Sequence, residues 1–157
     1  MASVELVLLD TNILVYASNA DVPQHALAVE LRERARRGEF YACISLQNLS
    51  EFYAVITDPR RVTYPDTPEV AAAKVREYLE ARFIKKLWIT PLVLRRMITL
   101  AEKYSVTRQN IFDTLLVATM LENGVYKIYT ANDEDFKDYE EITAINPFIP
   151  QGRGTRV

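Results

Sequence analysis

The chain has 157 residues, of which 49% are hydrophobic and 25% charged, a composition typical of a globular domain with a full core. The net charge of −2 excludes a strongly basic nucleic-acid-binding domain, but not a catalytic centre whose acids offset basic residues elsewhere. With one cysteine (Cys43) and one histidine (His25), an internal disulfide and a Cys/His metal site are excluded. Any metal must therefore have oxygen ligands.

Apolar runs stay well short of the roughly 18 residues that a membrane span needs, and the N-terminus does not resemble a signal peptide. We therefore expect a cytoplasmic protein with no membrane partner, which the lone cysteine also favours. The expected organisation is a single domain over residues 1–150 and a flexible C-terminal tail over residues 151–157, which contains two glycines and few core residues.

Strands and helices alternate along the predicted chain. The apolar run Val4–Leu9 predicts a strand buried on both faces, and a helix follows from Ile13. Similar signals predict helices at 24–37, 45–57, 67–83, 90–104 and 111–122, a short helix or turn at 132–139, and strands at 41–44, 87–89, 125–130 and 142–145. This alternation indicates an α/β fold with a mainly parallel sheet of about five strands, whose order remains open.

Asp10 directly follows the first predicted strand. In an open parallel sheet, ligands bind outside the carboxyl ends of the strands, so Asp10 lies where chemistry is expected. Aspartate at a strand-to-helix junction can equally be a helix N-cap. The acidic cluster Asn132–Asp135 follows the fourth predicted strand and occupies the equivalent position, although alone it also fits a capped turn.

Two helical carboxylates extend this acidic set. Glu51 lies near the start of its helix beside the apolar stripe, where an exposed surface glutamate is the alternative interpretation. Asp113 belongs to Ile111–Ala118, a segment that is apolar nearly all round and is therefore predicted to be buried. A buried carboxylate is costly unless it is paired or binds a metal, so a structural salt bridge and a metal site both remain open.

Taken together, four motifs resemble the PIN-domain nucleases, and in particular the VapC toxins of toxin–antitoxin pairs. The likeness covers Leu9 to Pro147. The motifs are Leu-Asp-Thr-Asn at 9–12, Ser-Glu-Phe at 50–52, Asp-Thr-Leu-Leu-Val-Ala at 113–118 and Thr-Ala-Asn-Asp-Glu-Asp-Phe at 130–136. The resemblance implies a three-layer α/β/α sandwich and an endoribonuclease that uses Mg²⁺ or Mn²⁺, with one or two ions.

The resemblance also implies a role for each motif residue. The catalytic metal carboxylates would be Asp10, Glu51 and Asp113. In the fourth motif, Asn132 occupies the place where relatives have aspartate or asparagine. As the fourth metal carboxylate we therefore choose the neighbouring Asp133 and keep Asp135 as the close alternative. Ligands and waters would be oriented by a second group of side chains: Thr11, Asn12, Thr114 and Asn132.

Partners follow from the same resemblance. RNA phosphates would contact some of five arginines: Arg32, Arg36, Arg60, Arg61 and Arg108. A cognate antitoxin would place an arginine or lysine against Asp10 or Asp113. We also expect a homodimer, with its interface on the helices Pro68–Phe83 and Ser45–Thr57.

Other function classes remain as alternatives. The chain could be a PIN-domain RNA-processing nuclease without an antitoxin, or a non-catalytic PIN-like binding module, although its retained acids argue against the latter. A phosphoacceptor signalling domain needs an acid after the third strand, where the sequence reads Trp88-Ile89-Thr90. A haloacid-dehalogenase-type phosphatase needs Asp-x-Asp, and Asn12 replaces its second aspartate.

Overall fold

The computed structural model describes residues 3–150, and the predicted tail at 151–157 lies outside the described residues. Five parallel strands form one sheet in the order β3-β2-β1-β4-β5. The strands are β1 (Leu6–Leu9), β2 (Tyr41–Ser45), β3 (Ile84–Leu87), β4 (Lys127–Tyr129) and β5 (Thr143–Ile145). The first strand is therefore the central one.

Helices cover both faces of the sheet. They are α1 (Thr11–Ser18), α2 (His25–Arg36), α3 (Leu46–Ile56), α4 (Pro68–Glu80), α5 (Pro91–Lys103) and α6 (Ile111–Glu122), with short 3₁₀ helices at Arg108–Asn110 and Asp133–Asp135. One core joins the sheet to α1–α4 and the other joins it to α5 and α6. This confirms the predicted three-layer α/β/α sandwich. Across residues 3–150, no helix combines the length and the apolar character needed to cross a membrane.

The central strand shows why its sequence is apolar without alternation. Val7 and Leu9 pack into the core beneath α1–α4, whereas Leu8 packs into the core beneath α5 and α6. Because both faces are covered, every position needs an apolar side chain. Cys43 is fully buried on the second face, and burial raises the pKa of its thiol to about 11.

Several helices begin and end at residues that suit these positions. Thr67 and Thr90 each cap a helix whose first residue is proline, accepting hydrogen bonds from Val70 N and Val93 N respectively. Proline at the first helical position loses no intrahelical hydrogen bond. Gly124 follows the C-cap of α6. Its φ of +69° is the left-handed conformation that commonly ends a helix and that glycine adopts without steric cost.

The third strand was predicted at residues 87–89, and this prediction is wrong. The strand is Ile84–Leu87, and the helix before it ends at Glu80 rather than Phe83. The two central residues of this edge strand are lysines, Lys85 and Lys86, which conceal the apolar pattern. Trp88, which lies within the predicted range, is instead part of the following loop, with 57% of its surface exposed.

Our first prediction concerns the buried start of α3, where Ser45 and Asn48 form a capping box. We expect Ser45→Ala to lower the free energy of unfolding by about 1–2 kcal/mol, since a buried cap and its partner would both lose hydrogen bonds. Thr67→Ala, at the exposed cap of α4, is the control and should cost less. Urea unfolding of both variants measures the difference, and equal losses would contradict it.

Candidate active site

A cavity of about 510 Å³ opens at the carboxyl edge of the sheet. The chain leaves β1 towards β2 on one side, while β4 pairs with β1 on the other, so the cavity lies at the topological switch point where open α/β sheets bind ligands. Its lining combines carboxylates, small polar groups and a few apolar side chains: Asp10, Thr11, Asn12, Val15, Tyr16, Glu51, Ala54, Val55, Arg61, Asp113, Asn132, Asp135 and Phe136.

Asp10 is the most deeply held of these carboxylates, with 8% of its surface exposed. Its Oδ1 accepts a hydrogen bond from Thr11 N at 2.8 Å, as an N-cap does. Its Oδ2 accepts from Thr130 Oγ1 at 2.8 Å and from Asn12 Nδ2 at 3.3 Å. All of these donors are neutral, so the side chain is fixed in orientation without being neutralised. The N-cap and active-site interpretations of Asp10 are therefore compatible.

A second set of hydrogen bonds ties Glu51 to Asp10. Thr11 Oγ1 donates to Glu51 Oε2 at 2.9 Å and accepts from Asn48 Nδ2 at 3.1 Å. Asn48 Nδ2 also approaches Asp10 Oδ1 at 3.5 Å, and Asn48 is itself locked by its capping box with Ser45. The start of α3 and the start of α1 are thus held together by one network of side chains.

Asp113 approaches the cavity from α6. Gln47 Nε2 joins α3 to α6 by donating both to Glu51 Oε1 at 3.1 Å and to the carbonyl of Phe112 at 3.0 Å. Behind Asp113, the buried Thr114 hydroxyl and the Tyr139 hydroxyl form a hydrogen bond of 2.7 Å. Asp113 itself is half-buried.

The charges of these acids are not balanced locally. Within residues 3–150, Asp10, Glu51, Asp113 and Asp135 take part in none of the ion pairs. Burial, followed by the negative charges of Asp135, Asp10 and Glu51, raises the pKa of Asp113 to about 6. Burial also raises the pKa of Asp10, with Glu51 adding to the shift and the hydrogen bonds from Thr130 and Thr11 opposing it. No salt bridge explains Asp113 in the described part of the chain.

The acidic turn after β4 separates its candidate residues. Asp135 lines the cavity, as does Asn132. Asp133 is not among the lining residues, and its Oδ1 accepts a hydrogen bond from Asn146 Nδ2 at 3.2 Å. The 3₁₀ helix over 133–135 directs these neighbouring side chains differently, so the two candidates for the fourth position have distinct surroundings.

The five candidate arginines also have different surroundings. Arg61 lines the cavity, and Arg108 lies exposed just before α6. Arg60 pairs with Asp58 through two contacts of 3.1 Å. The other two lie at helix contacts outside the cavity: Arg32 donates to the Tyr78 hydroxyl and Arg36 stacks over the Phe83 ring.

Sequence reasoning did not select three polar residues of this network: Thr130, Asn48 and Gln47. Thr130 reaches Asp10 only because β4 pairs with β1, and the strand order could not be predicted. Asn48 could have been recognised as the fourth residue of a Ser-x-x-Asn capping box. For Gln47 we find no sequence signal, because its contacts depend on how α3 and α6 are placed.

The donor set fits a divalent cation. Among residues 3–150, no three Asp, Glu, His or Cys side chains converge closely enough to form a complete ligand cluster. Mg²⁺ does not need one, because it keeps several waters and is usually bound by one or two carboxylates together with substrate phosphates. The carboxylates of Asp10 and Asp113 are suitable oxygen ligands. The neutral hydrogen-bond donors around Asp10 would hold its carboxylate in place.

The sheet order and the acidic cavity define a doubly wound α/β domain with a carboxylate site at its switch point. The family model described as "PIN domain" matches residues 7–142. Ribonuclease VapC24 of Mycobacterium tuberculosis is 32% identical over 145 residues, which cover 92% of this chain and 98% of that protein. The chain belongs to the PIN-domain family, within its VapC-like group, and the resemblance seen in the four motifs is confirmed.

Solved structures agree on the fold. The M. tuberculosis toxin VapC20, described as cleaving the sarcin–ricin loop, aligns with a TM-score of 0.61 at 15% identity, covering 82% of this chain and 92% of that one. VapBC2 of Rickettsia felis, bound to a promoter DNA fragment, aligns with a TM-score of 0.60 at 21% identity, covering 90% and 98%.

A second prediction tests whether the charge of Asp113 opposes folding. In metal-free protein near pH 7.5, we expect Asp113→Asn to be more stable than the unchanged protein, with a free energy of unfolding higher by about 1 kcal/mol or more. One pKa unit corresponds to about 1.36 kcal/mol. Because Asp113 is partly exposed to solvent, the destabilisation is smaller than the pKa shift alone would give. Because the folded-state pKa is raised, the penalty is complete above pH 6 and shrinks as the pH falls towards 4.

Urea unfolding in EDTA at several pH values measures this difference. Asp21→Asn is the matched control, since it removes the same charge from an exposed residue outside the cavity and should change stability little. A clear destabilisation by Asp113→Asn would show instead that Asp113 is a structural residue, because breaking a buried ion pair costs about 3–5 kcal/mol.

Proposed function

We propose that this protein is a Mg²⁺- or Mn²⁺-dependent endoribonuclease and the toxin of a toxin–antitoxin pair acting in the cytoplasm. The observation that carries the proposal is a set of carboxylates on one cavity that take part in none of the ion pairs within residues 3–150: Asp10, Glu51, Asp113 and Asp135. The 32% identity to Ribonuclease VapC24 supports RNA as the substrate.

Asp10 and Asp113 would hold the cation directly, and Glu51 and Asp135 would complete its surroundings directly or through waters. When bound, a divalent cation lowers the pKa of a water and neutralises charge developing on phosphorus. Thr130 and Asn12 donate hydrogen bonds to the Asp10 carboxylate. These bonds fix its position and stabilise its ionised form. No side chain of the cavity needs to act as a covalent nucleophile.

Glu51 lies at the exposed side of the cavity. Thr11 Oγ1 fixes one of its oxygens and Gln47 the other, so its carboxylate can orient a water or accept its proton without moving. Arg61 is the cationic side chain among the described lining residues, and we assign it to a substrate phosphate. Arg108 is the further candidate for such a contact.

An antitoxin partner is supported by the fold neighbours that are toxin–antitoxin complexes, including VapBC2 of R. felis and a complex from Klebsiella pneumoniae with a TM-score of 0.58. In our proposal, a basic antitoxin side chain pairs with Asp10 or Asp113 and so blocks cation binding. We also retain the homodimer as a proposal, with an interface that includes α3 and α4.

A third prediction follows from this proposal. RNA cleavage should require Mg²⁺ or Mn²⁺ and should stop in EDTA, because the cavity offers only oxygen ligands. Glu51→Gln and Asp10→Asn should each lower kcat by at least about a hundredfold, the upper end of the cost of losing an outer-shell partner. Cleavage of a labelled single-stranded RNA measures both effects.

Glu102→Gln serves as the control, since this exposed acid lies on α5 and lines neither the acidic cavity nor the cavity beside it that Asp113 and Asp135 also line. Glu51→Gln is included because Glu51 is exposed, so its substitution should not unfold the protein as a change at buried Asp10 could. Undiminished cleavage in excess EDTA, or full activity of both variants, would contradict the proposed function.

A fourth prediction identifies the fourth acid. Asp135→Asn should reduce cleavage at least about tenfold and weaken Mg²⁺ binding, because Asp135 lines the cavity and its charge acts on Asp113. Asp133→Asn should retain most activity, since Asp133 contacts Asn146 instead. Steady-state cleavage at varied Mg²⁺ compares the two. The opposite ranking would restore Asp133 as the metal carboxylate.

A further inference from the structure

Beside the acidic cavity, the connection between α3 and α4 forms a closed surface loop over residues 57–67. Asp66 N donates to the carbonyl of Ile56 at 2.8 Å, which brings the two ends of the loop together. Lys74 Nζ contacts Asp66 Oδ2 at 2.6 Å and Ser18 Oγ at 2.9 Å, and so ties the loop to α4 and α1. Loops closed in this way are compact and frequently functional.

This loop presents an aromatic ring to solvent. Tyr64 is 78% exposed, the largest exposed fraction among the large apolar and aromatic side chains described. Exposing so much aromatic surface gains nothing for folding, because the hydrophobic stabilisation of burial is forgone. The anchored backbone around it, including Arg61 N and Val62 N donating to the carbonyl of Asp58, keeps the loop ordered without burying the ring.

Tyr64 also lines a smaller cavity that adjoins the acidic one. This second cavity has a volume of about 160 Å³ and shares Val15 with the acidic cavity. Arg61, three residues before Tyr64 on the same loop, lines the acidic cavity. One loop therefore places a cation at the acidic cavity and an aromatic face at its neighbour.

We propose that this loop binds single-stranded RNA, with an unpaired base stacked on Tyr64 and a nearby phosphate on Arg61. The proposal rests on the proposed ribonuclease function and names how that site holds its substrate. An aromatic face and a cation along one groove are the two elements by which proteins bind single strands, since every base has a π-face and every nucleotide a phosphate.

The surroundings of Tyr64 favour a nucleotide over a protein partner. Five of the nine other residues lining its cavity are polar or charged, namely Ser18, Asn19, Asp21, Asp66 and Lys74, and their hydrogen-bonding groups suit the polar edges of a base. Arg61, which lines the acidic cavity, would attract the phosphate of a nucleotide bound here. Arg60, by contrast, is already paired with Asp58 and is not assigned to RNA.

Binding of a fluorescein-labelled short single-stranded RNA, followed by anisotropy in EDTA at low salt, tests the proposal. Tyr64→Ala should weaken binding by roughly five- to 150-fold, the range for loss of one stacked base, whereas Tyr64→Phe should bind nearly as the unchanged protein does. Tyr126→Ala is the matched control, because Tyr126 is also exposed (60%) but lines a cavity at the opposite end of the sheet.

Two further measurements are specific to stacking. A duplex of the same sequence offers no unpaired base, so Tyr64→Ala should bind it as the unchanged protein does. In cleavage assays with Mg²⁺, Tyr64→Ala should raise KM and leave kcat nearly unchanged, since the stack holds substrate and transition state alike. Arg61→Ala should weaken binding of both RNAs, while Arg60→Ala should have little effect.

The outcomes separate this inference from the proposed function. If the unchanged protein cleaves RNA but Tyr64→Ala binds and cleaves like Tyr126→Ala, the stacking role is overturned and the ribonuclease stands. Equal weakening on single-stranded and duplex RNA overturns it too, as does an effect confined to binding of a co-expressed antitoxin. If the unchanged protein neither binds nor cleaves RNA with Mg²⁺, the proposed function itself fails.

Discussion

The arrangement of the whole cavity depends on one buried carboxylate that is hydrogen-bonded but not neutralised. Asp10 accepts hydrogen bonds from a backbone amide, a hydroxyl and an amide side chain, and each of these donors is in turn held by another part of the fold. A cation in place of Thr130 would stabilise Asp10 more strongly, but it would also occupy the charge that a metal site needs. Neutral donors fix the geometry and leave the charge available, while burial raises the pKa of Asp10 and these hydrogen bonds only partly oppose the shift.

Strand order brings these donors together. Because β1 is central and β4 lies beside it, the residues that follow the two strands meet at one edge. The amide of Asp10 donates to the carbonyl of Tyr129 at 3.0 Å, which continues the parallel ladder by one residue and brings Thr130 against the carboxylate. From the other side, Asn48 links the start of α3 to Thr11. The cavity is therefore a consequence of sheet topology rather than of any single loop.

How much of this could be predicted differs from residue to residue. Asp10 and Asp113 stood out because each interrupts an apolar run, and a buried charge needs a physical reason. The position of Asp135 relative to Asp133 could not be predicted, because it depends on the rotation of one short 3₁₀ turn. The contact of Thr130 with Asp10 could be predicted only from the strand order, which local sequence patterns do not determine. The third strand was misplaced by about three residues because its central lysines, Lys85 and Lys86, are tolerated at a sheet edge but are typical of a loop.

The network and the acids it supports oppose one another energetically. Hydrogen bonds to Asp10 stabilise its ionised form, whereas Asp113, with a pKa raised to about 6 by burial and by neighbouring acids, makes the ionised cavity unfavourable. A domain that kept only the structural role of Asp10 as a helix cap would gain stability by losing the charge at Asp113. The charge at Asp113 therefore adds a repulsion that a bound divalent cation would relieve, and in our proposal cation binding would also stabilise the fold. A basic side chain from an inhibiting partner would relieve the same repulsion. The cation and this side chain would therefore compete for binding to the same carboxylates.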